Sequence, residues 1–111
     1  MAKRLSKALR GKRRWIGVQI SAKVTSRSET IKILETISTD LQLSATAKLM
    51  DFNQHALADG CGTAVIQIPL TDYQEFRESI SNVESLDKIG IMSLTTSGKI
   101  RLVRQRLSNL R

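Results

Sequence analysis

A chain of 111 residues, 41% hydrophobic and with one proline, is expected to fold as one small domain, large enough for a single core and too short for two. A lone cysteine, Cys61, excludes an internal disulfide, and no apolar run approaches the roughly 20 residues of a membrane span or the roughly 7–15-residue core of a signal peptide. The expectation is a soluble, intracellular, cytoplasmic protein, and its formal net charge of +8 is less informative than where the charges sit.

The chain opens on a basic arm, residues 1–14, in which Lys3, Arg4, Lys7, Arg10, Lys12, Arg13 and Arg14 occur without one acid. A single domain is expected over 15–111. "WIGVQISAKV", from Trp15 to Val24, puts Ile16, Val18, Ile20, Ala22 and Val24 on one face and polar or small residues on the other, the period of two that predicts a half-buried strand. Ser26 then stands three residues before Glu29, a capping-box pattern, and Ile31, Leu34, Ile37 and Leu41 repeat on one helical face. "TAKLMDFN" and "CGTAVIQIPL" read as two strands of a hairpin, the second ending at Pro69. A second helix is predicted from Thr71 as cap, with Tyr73, Phe76, Ile80 and Val83 at helical spacing. "KIGIMSLT" supplies a last strand. The final stretch, "TTSGKIRLVRQRLSNLR", reads as a basic helix with Ile100, Val103, Leu107 and Leu110 as its apolar stripe.

The order β-α-β-β-α-β-α predicts an α+β fold: a ferredoxin-like, RRM-like sandwich of two helices on one face of a four-stranded antiparallel sheet, with an additional basic C-terminal helix. In an RNA-recognition motif the open sheet face carries aromatics on which bases stack. Here the predicted third strand has none and the first has only Trp15, at its start, where it either closes a core or stacks on a base. The C-terminal stripe is expected to cover that face and turn its bases outward, so that recognition is of phosphates and shape.

Charge is segregated along the chain. Residues 99–111 hold Lys99, Arg101, Arg104, Arg106 and Arg111 with no acid, while all ten acids lie between Glu29 and Asp87 and the segment 15–98 has a net charge of −4. Clustering like charges costs self-repulsion, which a polyanion relieves through counterion exchange, so nucleic acid is favoured over two solvated tails. An anionic membrane is the weaker version of that idea, because a lipidation motif and a bulky apolar anchor are both missing. Within "SGK", a cap at Thr96 or Ser97 leaves backbone N–H groups of the last helix for a phosphate, with Gly98 allowing close approach and Lys99 adding charge; a plain cap and turn would use the same residues. On a helical wheel Lys99 and Arg106 flank one side of the stripe, and Arg104 and Arg111 the other.

Enzyme chemistry finds little support. His55 and Cys61 are the only residues of their kinds and supply no paired metal-ligand motif, Asp72/Glu75 and Glu75/Glu78 read as a solvated helix face, and "SGK" lacks the upstream glycine of a phosphate loop. No catalytic, metal or cofactor residue is expected on the protein.

"TTSGKIRLVRQRL" resembles the C-terminal signature of the small ribonuclease P protein subunits, "LRGKRRWIGVQI" is similar to that family's basic lead-in and first strand, and "GCGTAVIQIPLTDYQEFRESI" to its Gly-led strand and following helix. Order and spacing carry the likeness over nearly the whole chain, in the compact archaeal form of component 2. Lys99 departs from the usual Thr, and the family's Pro-rich lead-in is missing. The resemblance implies a non-catalytic subunit that binds ribonuclease P RNA and pairs with the barrel-shaped protein subunit, component 3, in an assembly that allows a homodimer within a heterotetramer. It further implies help in removing 5′ leaders from precursor tRNA, with magnesium on the RNA. RNA contacts are expected at Arg10, Lys12, Arg13, Arg14, Ser97, Gly98, Lys99, Arg101, Arg104 and Arg106. The alternative is a small ribosome-associated or architectural RNA-binding protein of the same fold; a ferredoxin-like interaction module with incidental basic ends is a third reading.

Overall fold

A computed structural model of the chain describes residues 13–24, 26–43, 46–54, 57 and 59–110. The elements run β1 (Arg13–Ile20), α1 (Arg27–Asp40), β2 (Lys48–Asn53), β3 (Gly62–Pro69), α2 (Leu70–Ser79), α3 (Glu84–Lys88), β4 (Ile91–Ser97) and α4 (Ile100–Ser108). The fold is α+β, with one antiparallel sheet in the order β2-β3-β1-β4, an arrangement compatible with a ferredoxin-like domain. Among the described residues no helix is long and apolar enough to cross a membrane.

Alternation along the strands divides the interior in two. Ile16, Val18 and Ile20 of β1 join Ala64, Ile66 and Ile68 of β3 against Leu34 and Ile37 of α1 and Phe76 of α2, the heart of a core of thirteen buried residues. The opposite side of the sheet holds a smaller cluster, in which Val65 meets Val103 and Leu107 of α4, with Trp15, Met50, Leu94 and Ile100 packed around them. Nine helical residues are marginal in water on their own. Burial of Val103 and Leu107, worth roughly 1.5–3 kcal/mol each, is therefore what holds α4 in place.

Several boundaries differ from the pattern in the sequence, each for a local reason. β1 ends at Ile20 rather than Val24, because Ser21 N donates to Gly90 O at 2.8 Å and Val24 N closes a turn on Ser21 O at 2.9 Å. At its other end it begins at Arg13, so two arginines assigned to the arm are strand residues, opposite Pro69 and Ile68. Ser26 caps α1 as expected, its hydroxyl accepting from Glu29 N at 3.2 Å. Leu34, Ile37 and Leu41 pack as the stripe predicts, but at its start the fully buried residue is Thr30, and Ile31 remains 39% exposed. Thr71 is not a cap: α2 starts at Leu70 after Pro69, whose fixed φ of −60° turns the chain without a side-chain bond. Val83, assigned to the same apolar stripe, is 67% exposed at the start of α3. This extra short helix is pinned by Ser85, whose buried Oγ lies 2.6 Å from Asn82 O and 2.8 Å from Ile91 O, two acceptors that share its one proton.

Candidate nucleic-acid interface

The last strand continues through Thr96 and Ser97, so neither is the N-cap of the final helix. Lys99 takes that position with no side-chain cap bond, and Ser97 Oγ instead accepts from Lys99 N at 3.1 Å, closing the turn. The first turn of α4 has no acidic residue and carries Arg101, an unfavourable sign for a helix N-terminus unless an anion is nearby. Gly98, Lys99 and Arg101 are exposed.

Arg14 reaches this turn from β1. A Cβ added at Gly98 would lie 2.9 Å from Arg14 Nη1, which places the guanidinium directly against the glycine. The adjoining pair Trp15↔Ser97 locks the start of β1 to the end of β4, and Arg13 stands exposed one residue before Arg14. Two segments some eighty residues apart in sequence thus bring Arg13, Arg14, Ser97, Gly98, Lys99 and Arg101 to one end of the sheet. Arg10 and Lys12 lie outside the described residues, as do Arg111 and His55.

The two remaining candidates on α4 point to opposite edges and already have partners. Arg104 grips Asp51 of β2 side-on, Nε to Oδ2 at 2.7 Å and Nη2 to Oδ1 at 3.1 Å. The hydrogen bond and then the charge of Asp51 hold this guanidinium above its ordinary pKa, against a small opposing effect of desolvation. Arg106 Nη1 donates to Thr95 Oγ1 and Thr96 O of β4, both at 3.0 Å. The sequence pattern gave no sign of Asp51, Thr95 or Thr96 as anchors, because each meets its arginine only once α4 lies on the sheet. Arg104 is consequently a half-neutralised cation rather than an open one. Asp51→Asn is expected to free it, raising RNA affinity a few-fold and steepening the dependence of log affinity on log salt by about 0.7–0.9. A salt titration of both proteins checks this; a loss of affinity would show that the ion pair serves mainly to seat α4.

Trp15 is half-buried in the smaller cluster, where it closes packing beneath α4. Its Nε1 and the hydroxyl of fully buried Thr63 have no hydrogen-bond partner. Leu110, the predicted end of the apolar stripe, is 53% exposed. Charge follows the layers: α1, α2 and α3 together carry eight acidic and four basic residues, whereas α4 carries three arginines and no acid. Among the helices, positive charge therefore lies on the α4 side and net negative charge on the other. Among the described residues no three His, Cys, Asp or Glu side chains converge as a metal site. Compared with models of known protein families and with characterised proteins, the sequence matches none.

Proposed function

We propose that the protein is a non-catalytic, cytoplasmic RNA-binding subunit with a ferredoxin-like, RRM-like domain. Its basic C-terminal helix replaces the open stacking face, and its RNA is that of ribonuclease P. The observation that carries RNA binding is the contact of Arg14 with Gly98 in the Ser97–Gly98–Lys99 turn, with exposed Arg13 and Arg101 next to it along the chain. Cations from both ends of the chain are gathered at an uncapped helix start, where backbone N–H groups add to the attraction for phosphate. With α4 seated on the sheet, bases have no aromatic platform, so contacts run to the phosphate backbone and read the shape of folded RNA. The choice of ribonuclease P RNA rests on the sequence resemblance. In that setting the protein's Lys and Arg side chains take over part of the screening that magnesium otherwise supplies to the catalytic RNA. The acidic two-helix side is left for the barrel-shaped protein partner.

Reconstitution tests this reading. The protein alone is expected to leave precursor tRNA intact. Added to ribonuclease P RNA with the barrel-shaped subunit, it is expected to raise the cleavage rate and lower the magnesium requirement. Cleavage without RNA, or a reconstitution that the protein leaves unchanged, contradicts the assignment. Co-purification of ribosomal RNA in place of ribonuclease P RNA would move the same interface to a ribosome-associated role.

A further inference from the structure

Gly17 lies in mid-β1, buried beneath α4. A Cβ built there would stand 2.9 Å from Thr95 Cγ2, 3.0 Å from Leu107 Cδ2 and 3.0 Å from Val103 Cγ1. Three methyl groups from two elements thus close on a residue that has no side chain. The register between β1 and β4 shifts at this same place, Gly17 pairing with Thr95 and Val18 with Ser93, so that Leu94 of β4 is the extra residue of a bulge. Val103 and Leu107 are the buried pair that seats α4. Thr95 has a second role: its Cγ2 packs on Gly17 while its Oγ1 accepts from Arg106 Nη1 at 3.0 Å. Both branches leave one Cβ, so a push on the methyl rotates the hydroxyl away from the arginine.

We infer that Gly17 is a positioning residue for the RNA-binding surface. Lacking a Cβ, it lets α4 settle on the sheet and fixes the Thr95 rotamer that holds Arg106, and so sets where the cations of α4 stand. The inference rests on the RNA-binding reading above and adds to it a residue that touches no RNA. It also explains why a glycine occupies a strand centre, where it is otherwise unfavourable.

The test is binding to an RNA duplex of about 20 base pairs across a salt series, with amide-exchange protection of Ile100–Ser108 followed in parallel. Gly17→Ala is expected to lower affinity roughly tenfold, to flatten the log–log salt slope by about 0.7–0.9, and to reduce protection in α4 while the main unfolding transition stays cooperative. Thr95→Ser in that background removes the crowded methyl, keeps the hydroxyl for Arg106 and is expected to recover most of the affinity. A substitution that lowered affinity only by weakening the fold would leave the salt slope of the folded protein unchanged, so the slope separates positioning from simple destabilisation. Folded Gly17→Ala with wild-type affinity and slope overturns the inference, as does a loss that Thr95→Ser leaves in place. Should Gly17→Ala alone not fold, the paired variant carries the test: near wild-type binding supports the inference, and weak binding by the folded pair overturns it. Failure of the wild-type protein to bind the duplex would instead remove the RNA-binding reading itself.

Discussion

Val103→Asp is expected to detach the C-terminal helix from the sheet and to remove most RNA affinity with it. Val103 is fully buried between α4 and the sheet, against Gly17 and beside Val65 and Leu107. A carboxylate there has no partner in an apolar seam, and such an uncompensated buried charge costs roughly 3–5 kcal/mol. The seam is a cluster of three buried residues separate from the core of thirteen, so the cheapest response is for α4 to leave rather than for the whole domain to unfold. Loss of exchange protection confined to α4, a modest drop in melting temperature and a collapse of RNA binding are the expected results. Unchanged melting and unchanged affinity would mean that the helix is not held by this contact. Unchanged melting with affinity alone reduced would mean that the stripe faces RNA rather than the sheet.

The order of strands and long helices was legible in the sequence because the relevant signals are local. Alternation through Ile16, Val18 and Ile20 marks β1, and the Ser26–Glu29 pair marks the start of α1 within four residues. What escaped depends on partners far along the chain. The five residues of α3 are too few to show a helical period, and its anchor, the Ser85 hydroxyl, binds the carbonyl of a residue in β4. Thr71 resembled a cap, but the turn fixed by Pro69 already starts α2. Thr96 and Ser97 looked like caps for α4 because the length of β4 is set by pairing with β1, at Ile16↔Thr96 and Trp15↔Ser97.

The candidate site divides in the same way. Concentration of basic residues at both chain ends was visible in the sequence, whereas their convergence required the β1–β4 pairing that brings Arg14 against Gly98. Arg104 and Arg106 showed their helical positions and hid their engagements. Asp51 is 53 residues from Arg104 and Thr95 is 11 from Arg106, and no spacing rule links either pair. Gly17 gave only a partial signal, since a glycine in a strand pattern marks a close approach without saying of what.

The second large effect is expected at the cationic end itself. Arg14 is half-buried against Gly98, and Arg13, Lys99 and Arg101, each within three residues of that contact along the chain, are exposed. Replacing all four by Gln removes charge while leaving both hydrophobic clusters intact, so melting should change little. If each contacts one phosphate, each contributes about 0.7–0.9 to the slope of log affinity against log salt, and the four together about 3, with affinity at ~0.1 M salt lower by at least two orders of magnitude. The decisive measurement is that slope, for wild-type and fourfold-substituted protein on the same structured RNA. A slope reduced by about 3 in a protein that still melts like wild type places the polyanion at the meeting point of β1, β4 and α4. An unchanged slope and affinity would contradict it, and would mean that RNA, if bound at all, is held somewhere else on the molecule.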